Sequence, residues 1–218
     1  MPRILLPLIF ALLAAGSAHA DLKGTYQLQK DKPLALSFRD SRHMLAAVGT
    51  DKRLLMKGDE TWVMTLQGNN WLAIDANSAA GLLAALRKKH DADVPAGPMQ
   101  LRSLNRTEQV AGYMGEVFEL SDGSKRYEVV LTDHPDVLAL TNAWRSIAAR
   151  VAQNLEQRDI ERLQQALAVI PQQGKGGLLR QGDSLKLTAI DKKVSAADFD
   201  LPAGTQKMQL PLSLPGAQ

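Results

Sequence analysis

Alternating apolar and polar residues dominate the chain from residue 34 to residue 75. Every second residue from Leu34 to Phe38 is apolar, and so is every second residue from Trp62 to Leu66. A period of two places these apolar side chains on one face of each β-strand. Turn-forming runs rich in Gly, Asp and Asn separate the segments. The pattern predicts an antiparallel meander of five short strands, whose apolar face is covered by helices or by something bound.

Three later segments repeat with a period of three to four residues, which is typical of helices. One helix is predicted over residues 79–89 and another over residues 160–170. The longest begins after His134-Pro135 and carries an apolar stripe that includes Val137, Leu140, Trp144 and Ile147. Strands are predicted over residues 99–104, 109–120, 126–132, 178–181 and 184–191. Residues 21–32 are interpreted as a polar leader and the final residues as a Pro-rich tail.

The first twenty residues have the features of a secretory signal peptide. A short positive start at Arg3 precedes an apolar run over residues 4–15, and Ala18-His19-Ala20 fits the small-x-small cleavage pattern. Cleavage is predicted after Ala20, which leaves residues 21–218 as a single domain. The apolar run is shorter than the roughly 20 residues that span a bilayer, so no transmembrane anchor is expected. We predict a periplasmic protein, and secretion stays an alternative.

Composition removes several classes of function. The formal net charge is only +3, and the basic residues are scattered, so nucleic acid is not an expected partner. The chain has no cysteine, which excludes disulfides, thiol catalysis and Cys-based metal sites. His43, His90 and His134 lie at no metal-ligand spacing. Neither a metal nor another cofactor is expected.

One short motif suggests an enzyme and is rejected. Gly182-Asp183-Ser184-Leu185 resembles the nucleophile block of a lipase and esterase family. No histidine follows Ser184, and a serine without a general base is a weak nucleophile. We interpret the segment as a turn between strands and predict that the protein is not an enzyme.

Three other segments carry a more extensive resemblance. They are Leu36-Ser37-Phe38-Arg39-Asp40 with the following His43-Met44, Gln109-Val110-Ala111-Gly112-Tyr113, and Phe199-Asp200-Leu201-Pro202-Ala203-Gly204. Their order resembles a family of exported bacterial proteins without an assigned function, related in fold to the periplasmic lipoprotein carriers (LolA/LolB-like). The resemblance implies an α+β fold: a curved antiparallel sheet, or incomplete half-barrel, with helices packed in its concave face. In the carriers, that apolar hollow holds acyl chains.

The resemblance and the apolar faces lead to one functional hypothesis. The protein is expected to bind a lipid or lipoprotein acyl chain in the hollow without catalysis. The candidate lining residues are Leu34, Leu36, Phe38, Trp62, Met64, Leu66, Ile74, Trp144 and Ile147. The alternative is a permanently filled hollow in a protein-interaction module. Its partner would then be another envelope protein, in stress sensing or assembly.

Overall fold

A computed structural model describes residues 21–28, 32–76, 99–121, 126–152 and 175–208. These residues form a twelve-stranded sheet, an α-helix and a short 3-10 turn. The strands are β1 (Leu22–Leu28), β2 (Pro33–Asp40), β3 (His43–Val48), β4 (Lys52–Lys57), β5 (Glu60–Gln67), β6 (Asn70–Asp75), β7 (Gln100–Val110), β8 (Tyr113–Ser121), β9 (Arg126–Thr132), β10 (Gly177–Gln181), β11 (Leu185–Asp191) and β12 (Gln206–Met208). Helix α1 spans Pro135–Ala152, and the 3-10 turn spans Ala196–Phe199. The predicted signal peptide and the helices predicted over 79–89 and 160–170 lie outside the described residues.

The strands form one open sheet in the order β12-β6-β5-β4-β3-β2-β1-β11-β10-β9-β8-β7. Neighbouring strands are antiparallel, except that β12 runs parallel to β6. The predicted meander of five strands is confirmed as β2 to β6, each joined to the next by a short turn. A large, mainly antiparallel sheet with a helix beside it is therefore the architecture of the described residues.

Strand β1 corrects the prediction of a polar leader over residues 21–32. It lies near the middle of the sheet, between β2 and β11. Leu22 and Tyr26 are buried, at 5% and 1% exposure. Gly24 occupies the position between them on the same face, so the apolar alternation that marks a buried strand is interrupted in the sequence.

Two further segments differ from the sequence predictions. Residues 109–120 were predicted as one strand, but Ala111 and Gly112 adopt positive φ angles of 51° and 85° and form the tight turn between β7 and β8. The C-terminal segment was predicted as an irregular tail, yet it contains the 3-10 turn and β12.

The pairing register divides the side chains between two faces of the sheet, since directly opposed residues point to the same side. We call one the helix face, because Leu36, Met44 and Met56 pack there against Leu140 and Ile147 of α1. The other is the tail face, where residues of β3 to β6 pack against Leu201 of the C-terminal segment. The tail-face cluster is Leu45, Leu55, Trp62, Met64, Trp71, Ala73 and Leu201.

Helix α1 packs closely on β1 at Gly24. A Cβ atom at this position would lie 2.7 Å from Leu140 Cδ1 and 3.1 Å from Tyr26 Cε2. Leu140 is fully buried, at 0% exposure. The absence of a side chain on Gly24 is therefore what lets Leu140 reach the sheet.

This contact makes a double-mutant cycle informative. We expect Gly24→Ala to lower the free energy of unfolding by about 1–2 kcal/mol through overpacking, and Leu140→Ala to lower it by about 2–5 kcal/mol through a cavity. The double variant should be about 1 kcal/mol more stable than the sum predicts, because the new methyl group enters the cavity. Urea unfolding of the four proteins measures this coupling. Strict additivity would show that the two residues do not share the contact.

Candidate functional site

An open groove of about 710 Å³ runs along one side of α1, on the helix face of the sheet. We call it the α1 groove. Its walls are Leu22 and Phe38 from β1 and β2, Asp40 and Ser41 from the β2–β3 turn, and Pro135, Asp136, Leu138, Ala139, Asn142, Ala143 and Ser146 from α1. This size lies within the range of about 300–1,000 Å³ that is common for small-molecule sites. The groove is therefore lined by both apolar and polar side chains.

The helical wall follows from the sequence of α1. Pro135 occupies the first turn, where a missing N–H costs nothing. The nitrogen Nδ1 of His134 accepts a hydrogen bond from the backbone N–H of Asp136 at 3.3 Å, so the His134 side chain caps the first turn of α1. Residues three and four positions apart then form one stripe along the groove.

Two hydrogen bonds tie α1 to the sheet and its turns, one in the first half of the helix and one near its C-terminal end. Thr141 Oγ1 accepts from the backbone N–H of Leu178 in β10 at 2.8 Å. Towards the other end, Arg150 Nη1 donates to the carbonyl oxygen of Gly58, in the β4–β5 turn, at 3.2 Å. These bonds fix the position of α1 and with it the width of the groove.

An ion pair supports the strand wall. Arg39 Nε and Nη2 donate to the carboxylate of Asp21, at 3.0 Å and 2.7 Å, beside the paired residues Leu22 and Phe38. The hydrogen bonds from Arg39 lower the pKa of Asp21 despite partial desolvation. The pair joins the end of β2 to the residue before β1.

Two carboxylates, those of Asp40 and Asp136, line the groove, and each has a partner. Asp136 Oδ2 lies 2.8 Å from Lys192 Nζ, and this carboxylate raises the pKa of Lys192. Partial burial raises the pKa of Asp40, but hydrogen bonds from the N–H of Arg42 and the ring of His43 outweigh it, so the pKa lies below its usual value. Among the groove-lining residues that the structure describes, none is Lys, Arg or His.

Six of the nine candidate lining residues lie on the helix face or on α1. Leu34, Leu36 and Ile147 are buried in the core between the sheet and the helix. Trp144 packs against the same core, and Ile74 lies on this face because it pairs with Val63. Phe38 alone among the nine lines the α1 groove.

The other three candidates, Trp62, Met64 and Leu66, lie on the tail face. Their register partners in β6 are Asp75, Ala73 and Trp71. Lys207 Nζ lies 4.6 Å from the ring centroid of Trp62 on that side. The nine residues are thus divided between opposite faces of the sheet and do not form one lining.

Sequence reasoning missed the part of the groove that α1 supplies. Leu138, Ala139, Asn142 and Ser146 form a second stripe, beside the large apolar stripe that packs into the core. A run of small residues at spacings of three and four next to a bulky stripe was the available signal. It is weak, because small helical residues occur widely on solvated surfaces.

Two other kinds of site are not found in the described parts of the chain. No group of three or more His, Asp or Glu side chains there is arranged to hold a metal ion. No helix in those parts is both long and apolar enough to cross a membrane.

Comparison with known proteins gives only distant structural similarity. The sequence matches no protein-family model and no curated protein. Two crystal structures of PNGF-II, in space groups C2 and P21, each have a TM-score of 0.36, with 12% and 11% sequence identity. The matches cover 86% and 87% of this chain but only 30% and 31% of the PNGF-II chains. Similarity at this level assigns no family and no activity.

The Asp21–Arg39 pair gives a prediction about pH. Because the folded protein holds the pKa of Asp21 below its ordinary value of 3.8, the pair stabilises the fold above that pH. The contribution is lost as the pH falls from 3.8 through the folded pKa. We expect Asp21→Asn to lower the urea midpoint at neutral pH, and the gap to the wild type to narrow in acid.

Asp133→Asn is the matched control, since Asp133 is exposed on the loop before α1. Its urea midpoint should stay close to that of the wild type at neutral pH. A gap for Asp21→Asn that widens as the pH falls would contradict the proposed sign.

Proposed function

We propose that the protein binds a lipid, or another molecule with a long acyl chain, in the α1 groove. The observation that carries this proposal is an open groove of about 710 Å³ with apolar walls from both the sheet and the helix. Leu22, Phe38 and Leu138 offer the surface that an acyl chain needs. Burial of apolar area supplies about 25 cal/mol per Å² before the costs of association.

The carboxylates that line the groove suggest which kinds of head group a ligand could have. Asp40 and Asp136 both lie on the groove wall, and Ser41 and Asn142 add neutral polar groups. The carboxylate of Asp136 is already paired with Lys192, but a free carboxylate head group would still meet the carboxylate of Asp40, which is unfavourable. We therefore propose a ligand whose head group is zwitterionic, neutral or positively charged, such as a phospholipid with an amine.

We also propose that the sheet forms an incomplete half-barrel around α1 and that the protein acts in the bacterial periplasm. The open strand order and the packing of α1 on one face support the first point. The apolar run and the Ala18-His19-Ala20 pattern support export. In this setting the protein resembles the lipoprotein carriers in the kind of ligand it holds.

Filling the groove tests the proposal. Ala139→Phe and Asn142→Phe each place a ring in the groove, and each should weaken ligand binding about tenfold or more, equivalent to about 1.4 kcal/mol. The probe is lysophosphatidylethanolamine with a fluorophore-labelled acyl chain, titrated and followed by fluorescence anisotropy. A fatty acid with the same labelled chain should bind more weakly, because its carboxylate is repelled by that of Asp40.

Ala149→Phe is the matched control, because Ala149 is an exposed residue of the same helix outside the groove. Circular dichroism must show that all three variants fold. Equal affinity in the groove and control variants, or the absence of saturable binding by the wild type, would reject the groove as a lipid site. The interaction-module alternative would then be preferred.

A further inference from the structure

Arg145 of α1 has a guanidinium group that is hydrogen-bonded through only one of its three nitrogens. Its Nη1 atom donates to Asn142 Oδ1, three residues earlier in the helix, at 3.1 Å. Its Nε and Nη2 atoms are buried, and neither has a hydrogen-bond partner among the residues that the structure describes. These two nitrogens form an edge of the guanidinium that can bind both oxygens of one carboxylate or phosphate group. We call it the Nε–Nη2 edge.

Two other arginines show what the Nε–Nη2 edge binds in the same chain. Arg39 donates from Nε and Nη2 to the two oxygens of Asp21, at 3.0 Å and 2.7 Å. Arg180 donates from the same two atoms to the two oxygens of Glu108, at 2.9 Å and 2.7 Å. Both arginines are partly buried, as Arg145 is. By this comparison, the partner that suits Arg145 is an oxyanion that presents two oxygens.

In the described parts of the chain, no carboxylate takes that role for Arg145. Burial lowers the pKa of the Arg145 guanidinium, and no acidic neighbour opposes the effect. The acidic partners of Arg39 and Arg180, in contrast, raise the pKa of each of those groups. A desolvated charge without a counter-ion is costly to the folded protein, and a bound anion offsets that cost.

The other unpartnered buried atoms lack the same kind of partner. Within the described ranges they are Trp144 Nε1 and the hydroxyl oxygen of Tyr26. Like the Nε–Nη2 edge, both groups can donate a hydrogen bond, so each can be satisfied by an acceptor. Trp144 precedes Arg145 on α1 and packs against the core cluster that contains Tyr26. Arg145 is only partly buried as a residue, which leaves it in contact with solvent.

We propose that Arg145 binds a small oxyanion, a carboxylate or a phosphate group, through its Nε–Nη2 edge. The two ligand oxygens lie in the plane of the guanidinium, as those of Asp21 and Glu108 do for their arginines. The hydrogen bond from Nη1 to Asn142 helps to hold that plane in one orientation. Arg145 is not among the described walls of the α1 groove, so this site is separate from the proposed lipid site.

Nuclear magnetic resonance of the ¹⁵N-labelled protein tests the site directly. The chain has three tryptophans, so Trp144→Phe identifies the indole N–H resonance of Trp144, and Arg145→Lys identifies the Nε–H resonance of Arg145. Acetate and inorganic phosphate are titrated separately, at an ionic strength held constant with sodium chloride. Both resonances are expected to move and to saturate, and the anion that binds more tightly identifies the ligand class. The resonances of Trp62 and Trp71, on the tail face, should stay in place.

The variant Arg145→Lys keeps the positive charge but removes the Nε–Nη2 edge. The Trp144 resonance should then report an affinity at least about tenfold lower, equivalent to about 1.4 kcal/mol. Arg126→Lys, at an exposed position of β9, is the matched control and should bind as the wild type does. Shifts that do not saturate with either anion, equal shifts with chloride alone, or full affinity in Arg145→Lys would overturn the proposal. Each of these results leaves lipid binding in the α1 groove to its own test.

Discussion

The packing of α1 on the sheet above Gly24 is the contact on which the rest of the structure depends. With no cysteine in the chain, no disulfide supplements the packing of side chains. Leu140 reaches the sheet because Gly24 has no side chain, and hydrogen bonds from Leu178 and Arg150 then fix the helix axis. The groove is a consequence of this placement, since the neighbouring stripe of α1 carries small residues such as Ala139 that do not fill the space beside the sheet.

Much of the sheet was predictable because apolar and polar residues alternate with the two-residue period of a β-strand. The five strands from β2 to β6 were found in this way. Strand β1 was not found in this way, because Gly24 interrupts the alternation of apolar residues. A side chain at this position would clash with Leu140 of α1. Helix α1 was found from its bulky stripe, while the groove depends on the small residues next to it, and these give no distinctive signal.

The division of the candidate site between two faces has a different cause. Alternation shows that Trp62 and Met64 share a side, but it does not show which side of the sheet that is. The pairing register of the strand determines which face its side chains occupy, and a shift of the register by one residue moves them all to the opposite face. In β4 and β5 both faces are apolar, with Leu54 and Val63 on the helix face and Leu55 and Trp62 on the tail face. The period alone therefore could not assign these residues to the hollow.

Arg39 links the strand wall of the α1 groove to the C-terminal segment. Its guanidinium holds Asp21 beside the groove wall, and it also lies over Phe199, which anchors the C-terminal segment on the tail face. A single side chain thus connects the strand wall of the groove to the base of the segment that carries β12. The groove wall and the Phe199 anchor of the C-terminal segment are consequently tied to the same end of β2.

The strand order also constrains how the chain folds. Strands β2 to β6 pair with their neighbours in sequence, as do β7 to β9, and such local contacts form quickly. The two halves meet where β1 pairs with β11, for example Gly24 with Ile190, and strand pairing between residues so distant in sequence forms slowly. Until β11 is available, one edge of β1 is unpaired. A chain interrupted before Leu185 therefore carries an open strand edge in the middle of the future sheet, the type of edge at which polypeptides aggregate.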